Sequence, residues 1–170
     1  MKKIFILLAS VLTLVSCSTL KAPQTTIVAD LRAYPYAYII PTSGVTSNSG
    51  VYGNQYFVHG GAIKTINPAE LIAGDLMKRG YTILPSISPE LVEKTLIVSY
   101  GYTGRRQLSA FSYASCIIIQ MRDAKTHNMV ATCEAEGCGE DETADILQAI
   151  TTALDNIYTA AYDYNQHRIE

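Results

Sequence analysis

The sequence predicts an α+β fold, a mainly antiparallel sheet with two helices packed on one face, and three observations predict it. Residues 94–102, 111–122 and 127–136 are β-rich runs that follow one another through short turns. Near the C-terminus Ile146, Leu147, Ile150, Leu154, Ile157 and Ala161 recur at helical spacing. Asn67-Pro68-Ala69-Glu70 has the chemistry of a helix start, in which Asn67 caps, Pro68 suits the first helical position and Glu70 reaches back to the cap. Strands gathered together, with one helix before and one after, mark a fold whose helices are segregated from its sheet.

In chain order, residues 26–33 place Ile27, Ala29, Leu31 and Ala33 on one side, the period of a half-buried strand. Tyr34, Tyr36 and Tyr38 then share the opposite parity, and Pro35, which cannot donate to a ladder, makes this part an edge or a bend. Residues 42–61 are dominated by Ser, Thr, Asn, Gly and Tyr and read as a long loop or an irregular hairpin. A helix over residues 68–79 follows, with Leu71, Ile72 and Leu76 as its apolar stripe and Gly80 as its end. In the next strand Leu96, Val98 and Tyr100 alternate with Thr95, Ile97 and Ser99. Asp123-Ala124-Lys125-Thr126 is a turn joining the last two β-rich runs, and Ile117-Ile118-Ile119 reads as a central strand or as one edge of a subunit contact. Asp141 or Thr143 caps the final helix, whose apolar face should lie across the sheet.

Composition narrows the function. Without Lys2 and Lys3 the basic residues fall to 11 against 15 acidic, a net charge of −4, and only Arg105-Arg106 form a basic pair, which argues against nucleic-acid binding. There is no Trp, but twelve Tyr stand against three Phe. Tyrosine combines apolar area with a hydroxyl that needs a partner, so it favours half-buried sheet faces and contact surfaces.

The N-terminus is the most specific segment. Lys2 and Lys3 precede an uncharged apolar run over residues 4–15, about half of the roughly 20 residues that cross a bilayer as a helix, so removal is expected rather than retention as a span. The run ends in Leu14-Val15-Ser16-Cys17, which resembles the lipobox of bacterial lipoproteins. That resemblance implies a signal peptide over residues 1–16, a lipid on Cys17 and, because Ser18 rather than Asp follows, delivery to the outer membrane, facing the periplasm. Residues 17–25 then read as a lipidated tether, and residues 26–170 as one α+β domain of a size that buries a real core. The body also bears an architectural likeness to small helix-on-sheet envelope lipoproteins of unassigned function.

Such export puts Cys116, Cys133 and Cys138 where disulfides persist, with Cys133–Cys138 and Cys116–Cys133 as the pairings and three free thiols as the alternative. His59, His127 and His167 are scattered without metal-ligand spacing, and no serine has a nucleophile-elbow setting, so neither a metal, a cofactor nor a catalytic residue is expected. Glu134, Glu136, Glu140, Asp141, Glu142 and Asp145 form the densest charge group, read as solvation of a loop and of a helix start. Tyr34, Tyr36 and Tyr38, with Tyr52 and Tyr56 in the following loop, are the candidate partner surface. The expectation is a non-enzymatic accessory or binding lipoprotein that contacts an envelope protein or glycan. A thiol- or pocket-dependent enzyme, with Cys138 as the thiol, and a structural self-assembling lipoprotein are the alternatives, and a homo-oligomer fits the last.

Overall fold

The computed structural model describes residues 19–48, 63–110 and 112–167; Cys17, Tyr52 and Tyr56 lie outside them. Its strands are β1 (Gln24–Ile27), β2 (Tyr36–Ile39), β3 (Val45–Asn48), β4 (Ile63–Ile66), β5 (Thr82–Ile83), β6 (Thr95–Gln107), β7 (Tyr113–Asp123) and β8 (Met129–Gly137). Its helices are α1 (Pro68–Lys78) and α2 (Glu142–Gln166). Six strands form one sheet in the order β1-β8-β7-β6-β2-β5, and β3 pairs with β4 in a separate ribbon. The fold is the expected α+β class, with a mostly antiparallel sheet, although β2 joins β6 and β5 in parallel register. No helix among the described residues is long and apolar enough to cross a membrane.

The core lies between the sheet and the helices. On β7, Ile117, Ile119 and Met121 are fully buried opposite Ala135, Cys133 and Ala131 of β8. Ile146, Ile150, Leu154 and Ile157 of α2 close over them, and Ile72 and Leu76 of α1 complete the cluster. Each such aliphatic side chain contributes roughly 1.5–3 kcal/mol by leaving water. Asn67 caps α1 as read from sequence, accepting from the Ala69 amide, and of the two candidates for α2 it is Asp141 that caps, accepting from the Ala144 amide, while Thr143 lies inside the helix. Where β8 runs into α2 the backbones nearly touch, and a Cβ on Gly137 would stand 1.9 Å from the Asp145 carbonyl oxygen.

Three expectations change. The strand foreseen over residues 26–33 stops at Ile27, because the Asp30 carboxylate accepts from the Arg32 amide at 2.9 Å and caps a 3-10 turn over Leu31–Ala33. The expected tether is docked wherever it is described: β1 begins at Gln24, the Lys21 amide donates to the Glu136 carboxylate at 2.9 Å, and Arg106 donates to the Thr19 carbonyl at 3.2 Å. Neither disulfide pairing forms, and Cys116, Cys133 and Cys138 are free. Cys116 pairs with Glu136 and Cys133 with Ile119, which places the two thiols on opposite faces of the sheet, out of each other's reach. Cys138 lies in the loop after β8, its amide donating to Gln148 at 2.7 Å.

Candidate functional site

The tyrosine row divides. Ala37 is fully buried against the core, so Tyr36 and Tyr38, its neighbours on β2, point to the face that carries no helix. Tyr34 leaves the row and donates its hydroxyl to Asp123 at 3.0 Å, at the turn between β7 and β8. It meets instead three tyrosines that the sequence pattern did not group with it.

Those residues line a cleft of about 390 Å³ between the C-terminal end of α1, the C-terminal half of α2 and the turn before β2. Gly80, at φ 93°, ends α1 in the left-handed region, and the Tyr81 amide turns back to the Leu76 carbonyl at 3.1 Å, which sends the Tyr81 ring towards α2. Tyr158 and Tyr162 stand one helical turn apart on α2, with Asn165 beyond them. The Tyr81 and Tyr158 rings meet edge to face, centroids 6.2 Å apart at 64°. The Arg79 guanidinium lies 4.3 Å from the centre of the Tyr158 ring and binds Asp75 at 2.6 Å and Asp155 at 2.5 Å, so it ties the end of α1 to α2 with its charge already matched.

The polar groups at the cleft are unevenly served. Burial pushes the Tyr158 hydroxyl far above the usual tyrosine range, with the Tyr81 hydroxyl adding to the rise, so it stays a protonated donor at any physiological pH. That hydroxyl is buried, and the neighbouring Tyr81 hydroxyl acts on it electrostatically without completing a well-formed hydrogen bond. At the rim, Asn165 donates to Asp30 at 3.2 Å, and the hydrogen bonds from Arg32 hold the Asp30 carboxyl down at about 2. Tyr162 is an open wall, 66% exposed.

A second hollow, of about 440 Å³, lies at the opposite end of α2 among Tyr100, Tyr102, Glu142 and Val45. Burial pushes the Tyr100 hydroxyl up to about 12, and it too makes no well-formed hydrogen bond. Among the described residues Tyr100 and Tyr158 are the two side chains with buried polar atoms left unpaired.

The remaining sequence candidates are absorbed by structure. Glu136 takes a two-pronged contact from Arg106, at 2.8 and 2.5 Å, while Arg105 binds Glu142 at 3.0 Å. Asp145 is buried and accepts from Ser115 at 3.3 Å and from the Gly139 amide. Burial raises the thiols of Cys116 and Cys133 above their ordinary value, which makes them less nucleophilic. No group of three His, Cys, Asp or Glu that could hold a metal occurs among the described residues.

No protein-family model and no curated protein matches the chain. Among solved structures it is similar to a PelC dodecamer from Paraburkholderia phytofirmans, at TM-score 0.47 and 11% identity over 82% of this chain and 95% of that one. It is likewise similar to a point variant of the same dodecamer, at TM-score 0.44 and 10% identity with the same coverage.

Proposed function

We propose that the protein is a non-enzymatic lipoprotein of the bacterial envelope, held at the outer membrane by lipid on Cys17, and that its tyrosine cleft binds a glycan. One observation carries the reading. Tyr34, Tyr81, Tyr158 and Tyr162 converge on one open cleft, and the buried Tyr158 hydroxyl there makes no well-formed hydrogen bond. A sugar ring has an apolar C–H face that stacks on aromatic rings and a rim of hydroxyls that exchange hydrogen bonds with tyrosine hydroxyls and side-chain amides, and Asn165 and Gln166 supply such amides here. The volume sits at the small end of the usual range for ligand sites, which suits one or two sugar units.

The lining also lacks the pieces of a reaction. Among the residues that line the cleft there is no Ser, Cys, His or carboxylate, and the Asp30 and Asp123 carboxylates at its edge are engaged by Arg32, Asn165 and Tyr34. An enzyme needs a nucleophile or a proton-transfer pair aimed at one point. The anchor supplies the rest of the reading: one acyl chain binds a bilayer reversibly, whereas two or more hold stably.

The test is calorimetric titration of the detergent-solubilised lipoprotein with oligosaccharides released from the envelope of its own cell. Tyr162→Ala removes an exposed wall without disturbing the core and should weaken binding at least tenfold, about 1.4 kcal/mol. Titrations without heat for every fragment, or an affinity unchanged in Tyr162→Ala, would overturn the assignment.

A further inference from the structure

The structure ties down the segment that follows the lipid-bearing cysteine. Arg106 holds the Thr19 carbonyl at 3.2 Å, and Glu136 holds the Lys21 amide at 2.9 Å. The Glu136 side chain is only 5% exposed and is itself gripped by Arg106. Only Ser18 separates Cys17 from Thr19, and two residue steps reach at most about 7 Å, so the attachment point lies within that distance of a fixed point on the domain. A lipid inserted in a bilayer leaves no room at that distance for the domain to stand off.

We infer that the domain is held directly against the bilayer, with the end that carries Arg106, Glu136 and the β6–β7 hairpin facing the headgroups and the tyrosine cleft facing away. Gln107 pairs with Tyr113 at the tip of that hairpin, beside the clamp, and Tyr113 is 47% exposed, the amphipathic residue suited to a membrane interface. Tyr34 and its partner Asp123 lie at the other end of the sheet, since β7 runs from Tyr113 beside the clamp to Asp123 beside the cleft. The length of β7, at about 3.3 Å per residue, therefore separates the membrane-facing end from the cleft by roughly 30 Å.

The partner of this surface is the leaflet that carries the protein's own anchor, and its lipid charge is immaterial. Arg105 and Arg106 are already matched by Glu142 and Glu136, and Glu140 and Asp141 stand close by in sequence, so the exposed Lys21 beside the clamp is too isolated a charge to make this end a positive patch. The anchor, and not electrostatic attraction, produces the contact.

This inference rests on the lipid anchor proposed above, and the experiment separates the two. The chain has no Trp, so a single introduced indole is a clean reporter. Lipidated Tyr113→Trp and Lys125→Trp proteins are reconstituted into phosphatidylcholine vesicles containing a headgroup-spin-labelled lipid, and vesicle flotation is recorded alongside fluorescence. Tyr113→Trp should lose most of its emission and Lys125→Trp should keep it, equally at low and high salt. Inserting about ten Gly/Ser residues after Ser18, which adds roughly 17 Å of mean reach, should restore emission at position 113 without releasing the protein. Glu136→Gln, which weakens the clamp, should restore it in part. Equal emission at both positions in floating vesicles would overturn the fixed orientation and leave the anchor standing. Failure of the parent protein to float, or flotation of Cys17→Ala, would overturn the anchor itself and the orientation with it.

Discussion

The two ends of α2 meet the same sheet in opposite ways. At its start the contact residues are small: Gly137 and Gly139 face the Asp145 carbonyl, the Ala149 amide and the Ala144 methyl at distances that exclude even a Cβ. Where this start meets β8 the polar groups are paired, with Asp145 between Ser115 and Gly139 and Glu136 between Arg106 and Lys21, and the unpaired Tyr100 hydroxyl lies to the side, on β6. At its far end the contact residues are Tyr81, Tyr158 and Tyr162, whose rings hold α1, α2 and the turn before β2 apart and leave a cleft with a buried hydroxyl unpaired. Residue size at the contact thus decides whether one helix on one sheet makes a filled joint or an open site. Filling fixes position, and the opening leaves interactions for a ligand to complete.

The strongest way to break this contrast is at the filled joint. Gly137→Ala puts a carbon 1.9 Å from a backbone oxygen and 2.7 Å from a backbone nitrogen, so helix and strand must separate. Folding should lose more than about 4 kcal/mol, read as collapse of the urea midpoint or failure to fold. Gly101→Ala is the matching control: its Cβ would meet the end of the Ile118 side chain at 2.9 Å, and a side chain can swing aside. A Gly137→Ala protein as stable as Gly101→Ala would mean that α2 rides freely over β8.

The Glu136 clamp comes next in size. Hydrogen bonds from Arg106, outweighing the opposing cost of burial, bring its carboxyl from the usual 4.5 down to about 2. Because the folded value lies below the unfolded one, the stabilisation is complete above about pH 5 and is lost as pH falls through 2. Glu136→Gln should cost about 2 kcal/mol at neutral pH by leaving Arg106 and the Lys21 amide poorly matched, and it should flatten the acid limb of the stability profile. An acid limb of undiminished slope in the variant would assign that limb to another carboxylate, with Asp30 the first to examine, since Arg32 holds it equally low.

Much of the filled end was legible in the sequence and little of the open end was. The Asn67 and Asp141 caps, the α2 stripe from Ile146 to Ala161 and the hairpin turn after Asp123 are local patterns, set by residues within a few positions of one another. Leu147, counted in that stripe, is exposed, because its angle on the helix carries it off the core face. The parallel pairing of β2 with β6 joins segments that lie nearly sixty residues apart, and alternation in a strand does not state its neighbour. The cleft fails for the same reason: Tyr34, Tyr81 and Tyr158 lie far apart in the sequence and are brought together only by the tertiary fold. Their one local trace is the Tyr158–Tyr162 spacing of a single helical turn. Pattern alone grouped Tyr34 with Tyr36 and Tyr38, whereas Pro35 and the Asp30-capped turn before it send Tyr34 elsewhere.

The finest probe of the contrast removes one oxygen. Tyr158→Phe keeps the ring against Tyr81 and Arg79 but deletes a buried hydroxyl that makes no well-formed hydrogen bond in the structure. A group that is desolvated and unpaired costs stability, so the variant should gain about 1 kcal/mol in urea unfolding. If a glycan hydroxyl completes that hydrogen bond, the same change should weaken binding, so that stability and affinity move in opposite directions. Tyr100→Phe, at the other end of α2, should give a similar gain in stability and leave binding at the Tyr158 cleft untouched. A Tyr158→Phe protein that gains stability and binds as well as the parent would assign recognition to the aromatic faces alone. One that loses stability would mean the hydroxyl already has a partner in solution, and the case for an unmet donor at the cleft would fall.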